Sequence, residues 1–183
     1  SINWTGAMPA VTTPFHADHS IDEDGFVANI SRLFEAGATG MVAAGCTGEF
    51  WSLSFVERAR LAKLSVETCA GRGPAIIGTG AIQEAEVIEQ IHAAKEAGAD
   101  GVLVLPPYFA HLTDAEMVAH FDRGALHVLH AQHDVVAHVF TRQPLGGFEA
   151  EQALVPVQVF VVPVVRHFQP EGNPSDAGLG EKN

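Results

Sequence analysis

The spacing of apolar and polar positions divides the first two thirds of the chain into short apolar runs and longer amphipathic segments. Over 22–36, Phe26, Ile30, Leu33 and Phe34 recur at helical spacing. Over 54–70, Val56, Ala59, Leu64 and Val66 mark a looser helical stripe, and Ser54 with Glu57 offers a capping box. Over 83–97, Val87, Ile88, Ile91 and Ala94 form a stripe opposite Glu84, Glu86, Glu89 and Glu96, and Thr113 with Glu116 opens a fourth helix by the same capping signature. The apolar runs at 7–12, 40–44, 75–79 and 101–105 predict strands, and their near-continuous apolar character suits a parallel sheet buried on both faces.

The punctuation between these segments repeats. Residues 35–43 read Glu-Ala-Gly-Ala-Thr-Gly-Met-Val-Ala, and 96–104 read Glu-Ala-Gly-Ala-Asp-Gly-Val-Leu-Val, 61 residues later. In each, a helix ends at a glycine able to take the left-handed cap conformation, and a buried strand follows. The order strand–helix, four times over, means a parallel sheet, either a barrel or an open doubly wound sheet. After about Arg123 this punctuation stops. Five histidines fall between His120 and His138. Valines then dominate from Val155 to Val165, where Pro156 and Pro163 argue for an edge strand or an irregular segment. Residues 170–183, rich in Gly, Pro, Asn, Ser, Asp and Glu, read as a disordered tail. The expected division is therefore 1–123, a partial barrel domain; 124–169, a His/Val-rich segment of uncertain structure; and 170–183, the tail.

Length and composition narrow the picture. The 183 residues suffice for one buried core but fall short of the ~250 of a complete (β/α)8 barrel. A formal charge of −12 argues against nucleic acid and anionic membrane surfaces, which demand a basic face. The apolar runs are too short for a bilayer, which needs ~20 residues per helix. No basic segment followed by an apolar run opens the chain, and Cys46 and Cys69 form neither a disulfide framework nor a zinc motif, so the expected compartment is the cytoplasm. His127, His130 and His133 with Asp134 could gather a metal, but no second fixed cluster closes the site, and no metal is assigned.

The chemistry concentrates where the strands end. Gly45-Cys46-Thr47-Gly48-Glu49 follows the second predicted strand, Gly78-Thr79-Gly80 the third, and Pro106-Pro107-Tyr108-Phe109 the fourth. In parallel α/β proteins, ligands sit in the loops beyond the C-terminal strand ends. Two glycines let backbone approach a ligand, and consecutive N–H groups can hold a carboxylate. The plainer reading of the same residues is a tight turn that needs glycine, with Tyr108 as an aromatic cover over the rim. A phenol there could instead hand on protons.

Ala10-Val11-Thr12-Thr13-Pro14-Phe15, Gly45-Cys46-Thr47-Gly48-Glu49-Phe50 with Leu53-Ser54, Ile77-Gly78-Thr79-Gly80 and Pro106-Pro107-Tyr108-Phe109 together resemble the dihydrodipicolinate synthase/N-acetylneuraminate lyase family, in its order and spacing. The resemblance covers residues 5–123. It implies the N-terminal half of a (β/α)8 barrel, about four βα units, followed by a non-homologous C-terminal segment. It also implies class I lyase or aldolase chemistry. A lysine on the sixth strand forms a Schiff base with pyruvate or another 2-keto acid, and no cofactor is needed beyond that imine. The Gly-x-Thr-Gly-Glu loop holds the substrate carboxylate, which assigns that role to Cys46 and Thr47, with Gly45, Gly48, Glu49 and Thr79 along the rim. Tyrosines on strand five and after strand four relay protons.

The chain departs from that pattern. Cys46 replaces the first hydroxyl of the loop and Phe109 the second tyrosine of the Tyr-Tyr pair; Tyr108 is the only tyrosine. The only lysines are Lys63 and Lys95, on predicted helices that should face solvent, and Lys182 in the tail. The expectation is thus a truncated member with no intact catalytic set, Tyr108 being a remnant, and inactive as this chain. Its partner would be a small 2-keto acid, with self-association through exposed barrel edges. Two other readings remain: a non-catalytic half-barrel binding a partner or a small carboxylate, and a doubly wound nucleotide-binding protein, which lacks any Gly-x-Gly-x-x-Gly or P-loop signature.

Overall fold

A computed structural model of the chain describes residues 2–108, 110–128, 138–140 and 159–163. Four helices and three parallel strands alternate through its main body: α1 (Glu23–Glu35), β1 (Met41–Ala43), α2 (Phe55–Cys69), β2 (Ala75–Gly78), α3 (Glu84–Ala97), β3 (Gly101–Val104) and α4 (Asp114–Val128). β4 (His138–Phe140) and β5 (Val159–Pro163) follow. The sheet order is β1-β2-β3-β5-β4, so the first three strands lie side by side in chain order. Met41 pairs with Ala75, and Ile76 with Gly101, both parallel. Each helix packs on the next, α1 on α2, α2 on α3 and α3 on α4. Helices that each pack on the next, along three parallel strands that keep chain order, are the winding of a barrel. A doubly wound sheet would reverse and place helices on both faces.

The helix ends are built as their sequences dictate. Asp22 caps α1 by accepting a hydrogen bond from the Gly25 N–H. Ser54 and Glu57 form a complete capping box on α2, and Thr113 and Glu116 repeat it on α4. Gly98 ends α3 at φ 85°, and its N–H returns to Ala94 and Lys95 carbonyls. The core is one cluster in which Phe26 and Ile30 of α1, Leu61 of α2, Ile77 of β2, Ile91 of α3 and Val102 of β3 are almost wholly buried.

Three expectations change. The segment 7–12 is not a full strand. It joins the β1 edge through one parallel bridge, Ala10 to Val42, with Val11 N donating to Val42 O and Val42 N to Pro9 O. Pro9 has no N–H to extend the ladder. On α2, Leu64 is buried and Val66 packs against the core as expected, but Val56 is 74% exposed, and the inward face also carries Arg58, Leu61, Ala62, Ser65 and Cys69. Finally, the valine run supplies no edge strand: β5 lies between β3 and β4, antiparallel to both. Pro163 is tolerated because β4 pairs only with Val159–Val161, which leaves the strand's last residue bonded on one side. The far edge of β3 is therefore paired, with Gly101 opposite Pro163 and Val104 opposite Phe160. Val155, Pro156, Val157, His130, His133, Asp134 and the tail 170–183 lie outside the described residues. Among the described residues no helix is long and apolar enough to cross a membrane, and no group of three metal-ligating side chains forms.

Candidate functional site

The three loops singled out in the sequence leave the same end of the sheet, since β1, β2 and β3 are parallel and each loop follows a C-terminal strand end. The first is bent sharply. Ala44, at φ 49°, and Glu49, at φ 56°, both adopt the left-handed conformation that side-chain-bearing residues avoid. They bracket Gly45–Gly48. Strain at both ends of so short a loop persists only where its surroundings over-determine it. Within the loop, Gly48 N donates to Gly45 O and Glu49 N to Cys46 O. Glu49 then leads into a 3-10 turn, Phe50–Ser52, and Ser52 Oγ donates to its carbonyl.

Two neighbours hold this shape. Thr13, nearly buried, donates its hydroxyl to Gly48 O at 2.8 Å. Gly78 lies so close that a Cβ there would sit 2.0 Å from Ala44 O. The loop's outer residues stay open: Cys46, Thr47 and Glu49 are exposed, while Gly45 and Gly48 are buried. The N–H groups of Cys46 and Thr47 donate no hydrogen bond among the described residues. Adjacent unused N–H donors and one hydroxyl on exposed residues of a fixed turn are groups a carboxylate can use.

The other predicted residues divide. Thr79 is wholly buried and ties β2 to β3, its N–H and hydroxyl both reaching Leu103 O at 2.9 and 3.3 Å. Tyr108 is half-buried and meets Phe50 edge-on, ring centroids 5.8 Å apart. Gly80 packs beside Phe50, so that Phe50 links all three loops. Phe109 lies outside the described residues. Lys63 is exposed on α2 and 3.9 Å from Glu67. Lys95 is half-buried, not fully solvated, in the last turn of α3. Neither lies on a strand.

Sequence reasoning assigned no role to Thr13 or Arg58. Thr13 was visible only as part of a motif. Arg58 was hidden because a charged residue marks a solvent face in a periodicity argument, whereas here it is buried beneath the rim. Burial lowers the Arg58 guanidinium to about 10, which leaves it charged at neutral pH.

A concavity of about 490 Å3 opens at the opposite end of the sheet, lined by residues that precede the strands, among them Thr39, Cys69, Arg72 and Asp100. Its groups are spoken for. Asp100 accepts from Ala75 N, Arg72 stacks on Phe34, and burial pushes the Cys69 thiol up to about 12, where it stays protonated. The exposed N–H groups of Cys46 and Thr47, which donate to nothing among the described residues, are at the other rim.

Known proteins match the chain over its first two thirds. The model of the dihydrodipicolinate synthetase family matches residues 3–130. The 4-hydroxy-tetrahydrodipicolinate synthase of Methanospirillum hungatei is 37% identical over 118 residues, 63% of this chain and 40% of that protein. That of Rhizobium meliloti is 41% identical over 116 residues, with the same coverage. YagE of Escherichia coli K12, a prophage protein of the dihydrodipicolinic acid synthase family solved in complex with pyruvate, superposes with a TM-score of 0.64 at 36% identity. That match takes in 68% of this chain and 42% of YagE. The chain thus spans about 40% of the length of the relatives it matches, and the shared portion is the N-terminal part of their barrel.

Proposed function

The chain belongs to the dihydrodipicolinate synthetase family, and from that premise we propose that its Gly45–Glu49 loop is the carboxylate-binding part of a Schiff-base lyase or aldolase site for pyruvate or a related 2-keto acid. The observation that carries the reading is the loop itself: a turn held left-handed at both ends, with Cys46 and Thr47 exposed and their N–H groups donating to nothing among the described residues. Pyruvate, the molecule bound in the YagE structure, offers one carboxylate for those donors and one keto carbon for an amine.

By the same reading, these 183 residues by themselves bind the acid without turning it over. Imine formation needs a neutral amine, and an ordinary lysine, with a pKa near ~10.4, is almost wholly protonated at neutral pH. Desolvation or a cationic neighbour must lower it. Lys63 is exposed and lies 3.9 Å from the Glu67 carboxylate. Lys95 closes a helix on the outer layer. Cys46 in place of a hydroxyl weakens any proton relay through the loop, because a thiol donates poorly.

The test is borohydride reduction in the presence of pyruvate, followed by intact-mass analysis of the chain. No adduct is expected, alongside pyruvate binding that weakens in Thr47→Val. A stoichiometric adduct at one lysine would overturn the non-catalytic part of the proposal. Binding unchanged in Thr47→Val would overturn the carboxylate site.

A further inference from the structure

Arg58 is the one arginine on the inward face of α2, with only 6% of its surface exposed. Among the described residues no carboxylate forms an ion pair with it, and its Nε is buried without an acceptor. Its two terminal nitrogens are used differently. Nη1 donates to Gly80 O and Nη2 to Gly78 O, each at 3.0 Å. The guanidinium also lies 5.4 Å from the centre of the Phe50 ring. Burying an unpaired guanidinium costs several kcal/mol, and a methionine of similar length would fill the same volume more cheaply. The position therefore asks for something that only the planar fork supplies, namely two parallel donors for carbonyls two residues apart.

Those carbonyls are the ones a strand end leaves over. β2 stops at Gly78, and past that point the ladder to β1 no longer takes up the backbone. Gly78 in turn bears on the Ala44 carbonyl, where no Cβ would fit, and Ala44 is the left-handed residue that opens the carboxylate loop. On the other side, the Phe50 ring under Arg58 closes that loop's far end and carries Tyr108. Apart from half-buried Tyr108, each link is a contact between buried groups, so a shift at one is passed to the next.

We propose that Arg58 is a positioning residue for the rim: by gripping the Gly78 and Gly80 carbonyls and the Phe50 ring from below, it sets the geometry of the Gly45–Glu49 loop without touching the ligand. The proposal rests on the reading of that loop as a carboxylate site, and its test separates the two. Backbone amide resonances of the full chain are compared for wild type, Arg58→Lys and Arg58→Met, and pyruvate is then titrated into each. Lysine keeps the stem and the charge but not the fork; methionine keeps the stem alone. In both variants the amides of Cys46, Thr47 and Thr79 are expected to move while those of Ile91 and Val102 in the core stay in place, and pyruvate affinity falls by about tenfold. Unmoved rim amides in a folded variant would overturn the proposal. So would loss of folding in both, since Arg58 would then determine the fold rather than the rim. If wild type binds no pyruvate, the carboxylate reading falls, and the amide shifts still decide the role of Arg58.

Discussion

Gly78→Ala gives the most direct test of how the rim is built. A Cβ at Gly78 would stand 2.0 Å from Ala44 O, 2.6 Å from Ala44 C and 3.0 Å from Gly45 N, all backbone atoms. A carbon–oxygen contact needs about 3.3 Å, so more than ~1 Å must be found between two strands whose spacing is only ~4.8 Å. Side-chain rotation cannot supply it. The adjoining pairs Met41–Ala75, Val42–Ile76 and Ala43–Ile77 must open instead. Overpacking of a tight core costs ~1–3 kcal/mol where side chains can yield, and the figure here sits at or above the top of that range because backbone must move. For a domain of this size ~3 kcal/mol lowers the melting midpoint by about 10 °C. Gly45→Ala is the control. Its Cβ would meet only Leu103 and Val42 side chains at 3.7 Å, an ordinary contact, and its midpoint should stay within ~2 °C of wild type. Thermal unfolding followed by circular dichroism reads both. A Gly78→Ala midpoint within ~2 °C of wild type would refute the close approach of β1 and β2 at the rim, and with it the route from Arg58 to the loop.

Three further outcomes follow from the same contacts. In the folded protein one thiol, Cys46, should react promptly with a disulfide reagent, whereas Cys69, 2% exposed and held protonated by burial, should react only on unfolding; two fast equivalents would contradict this. Acid should loosen α2 and α4, because hydrogen bonds from Ser54 and Thr113 hold the Glu57 and Glu116 carboxyls below their ordinary range. A depressed folded-state value contributes stability that is full above the ordinary carboxylate pKa and is lost as pH falls through the folded one, so Ser54→Ala, expected to cost ~1 kcal/mol at neutral pH by urea unfolding, should cost less at low pH. Thr13→Val removes the hydroxyl that holds Gly48 O; a loss of ~1–2 kcal/mol is expected, together with weaker pyruvate binding, and retained affinity would count against Thr13 as a support for the loop.

How far the fold was legible depends on what each signal encodes. The capping boxes at Ser54 and Thr113 and the glycine stop at Gly98 are local chemistry, complete within four residues, and all three stand where the sequence put them. The α2 stripe is legible only in part, because helical periodicity equates inward with apolar. Leu64 is inward as the pattern predicts, but the inward positions 58, 61, 62, 64, 65 and 69 also carry an arginine, a serine and a cysteine. Ser65 solves its burial locally by donating to Leu61 O, one turn back, and Arg58 by reaching a different element. No window on α2 alone contains Gly78. The antiparallel docking of β5 on β3 was equally out of reach, since pairing partners some sixty residues apart leave no periodic trace in either segment.

The site was legible as a set of loops and not as a mechanism of support, and that difference bears on what the chain does. Gly45–Glu49, Thr79 and Tyr108 stand out in the sequence because the loops beyond the ends of parallel strands are where ligands sit. What fixes them is a hydroxyl from Thr13, a backbone contact at Gly78 and a guanidinium from Arg58, all drawn from residues 13–80. The proposed carboxylate loop is therefore braced by contacts from residues 13–80. Schiff-base chemistry makes a separate demand, a desolvated amine; Lys63 is exposed and Lys95 sits half-buried in the last turn of α3. If binding and chemistry separate in this way, pyruvate should perturb the Cys46 and Thr47 amides in proportion to occupancy and leave the mass of the borohydride-treated chain unchanged. An adduct that appears without any perturbation of the loop would place the reactive centre elsewhere and break the link between the turn and the acid.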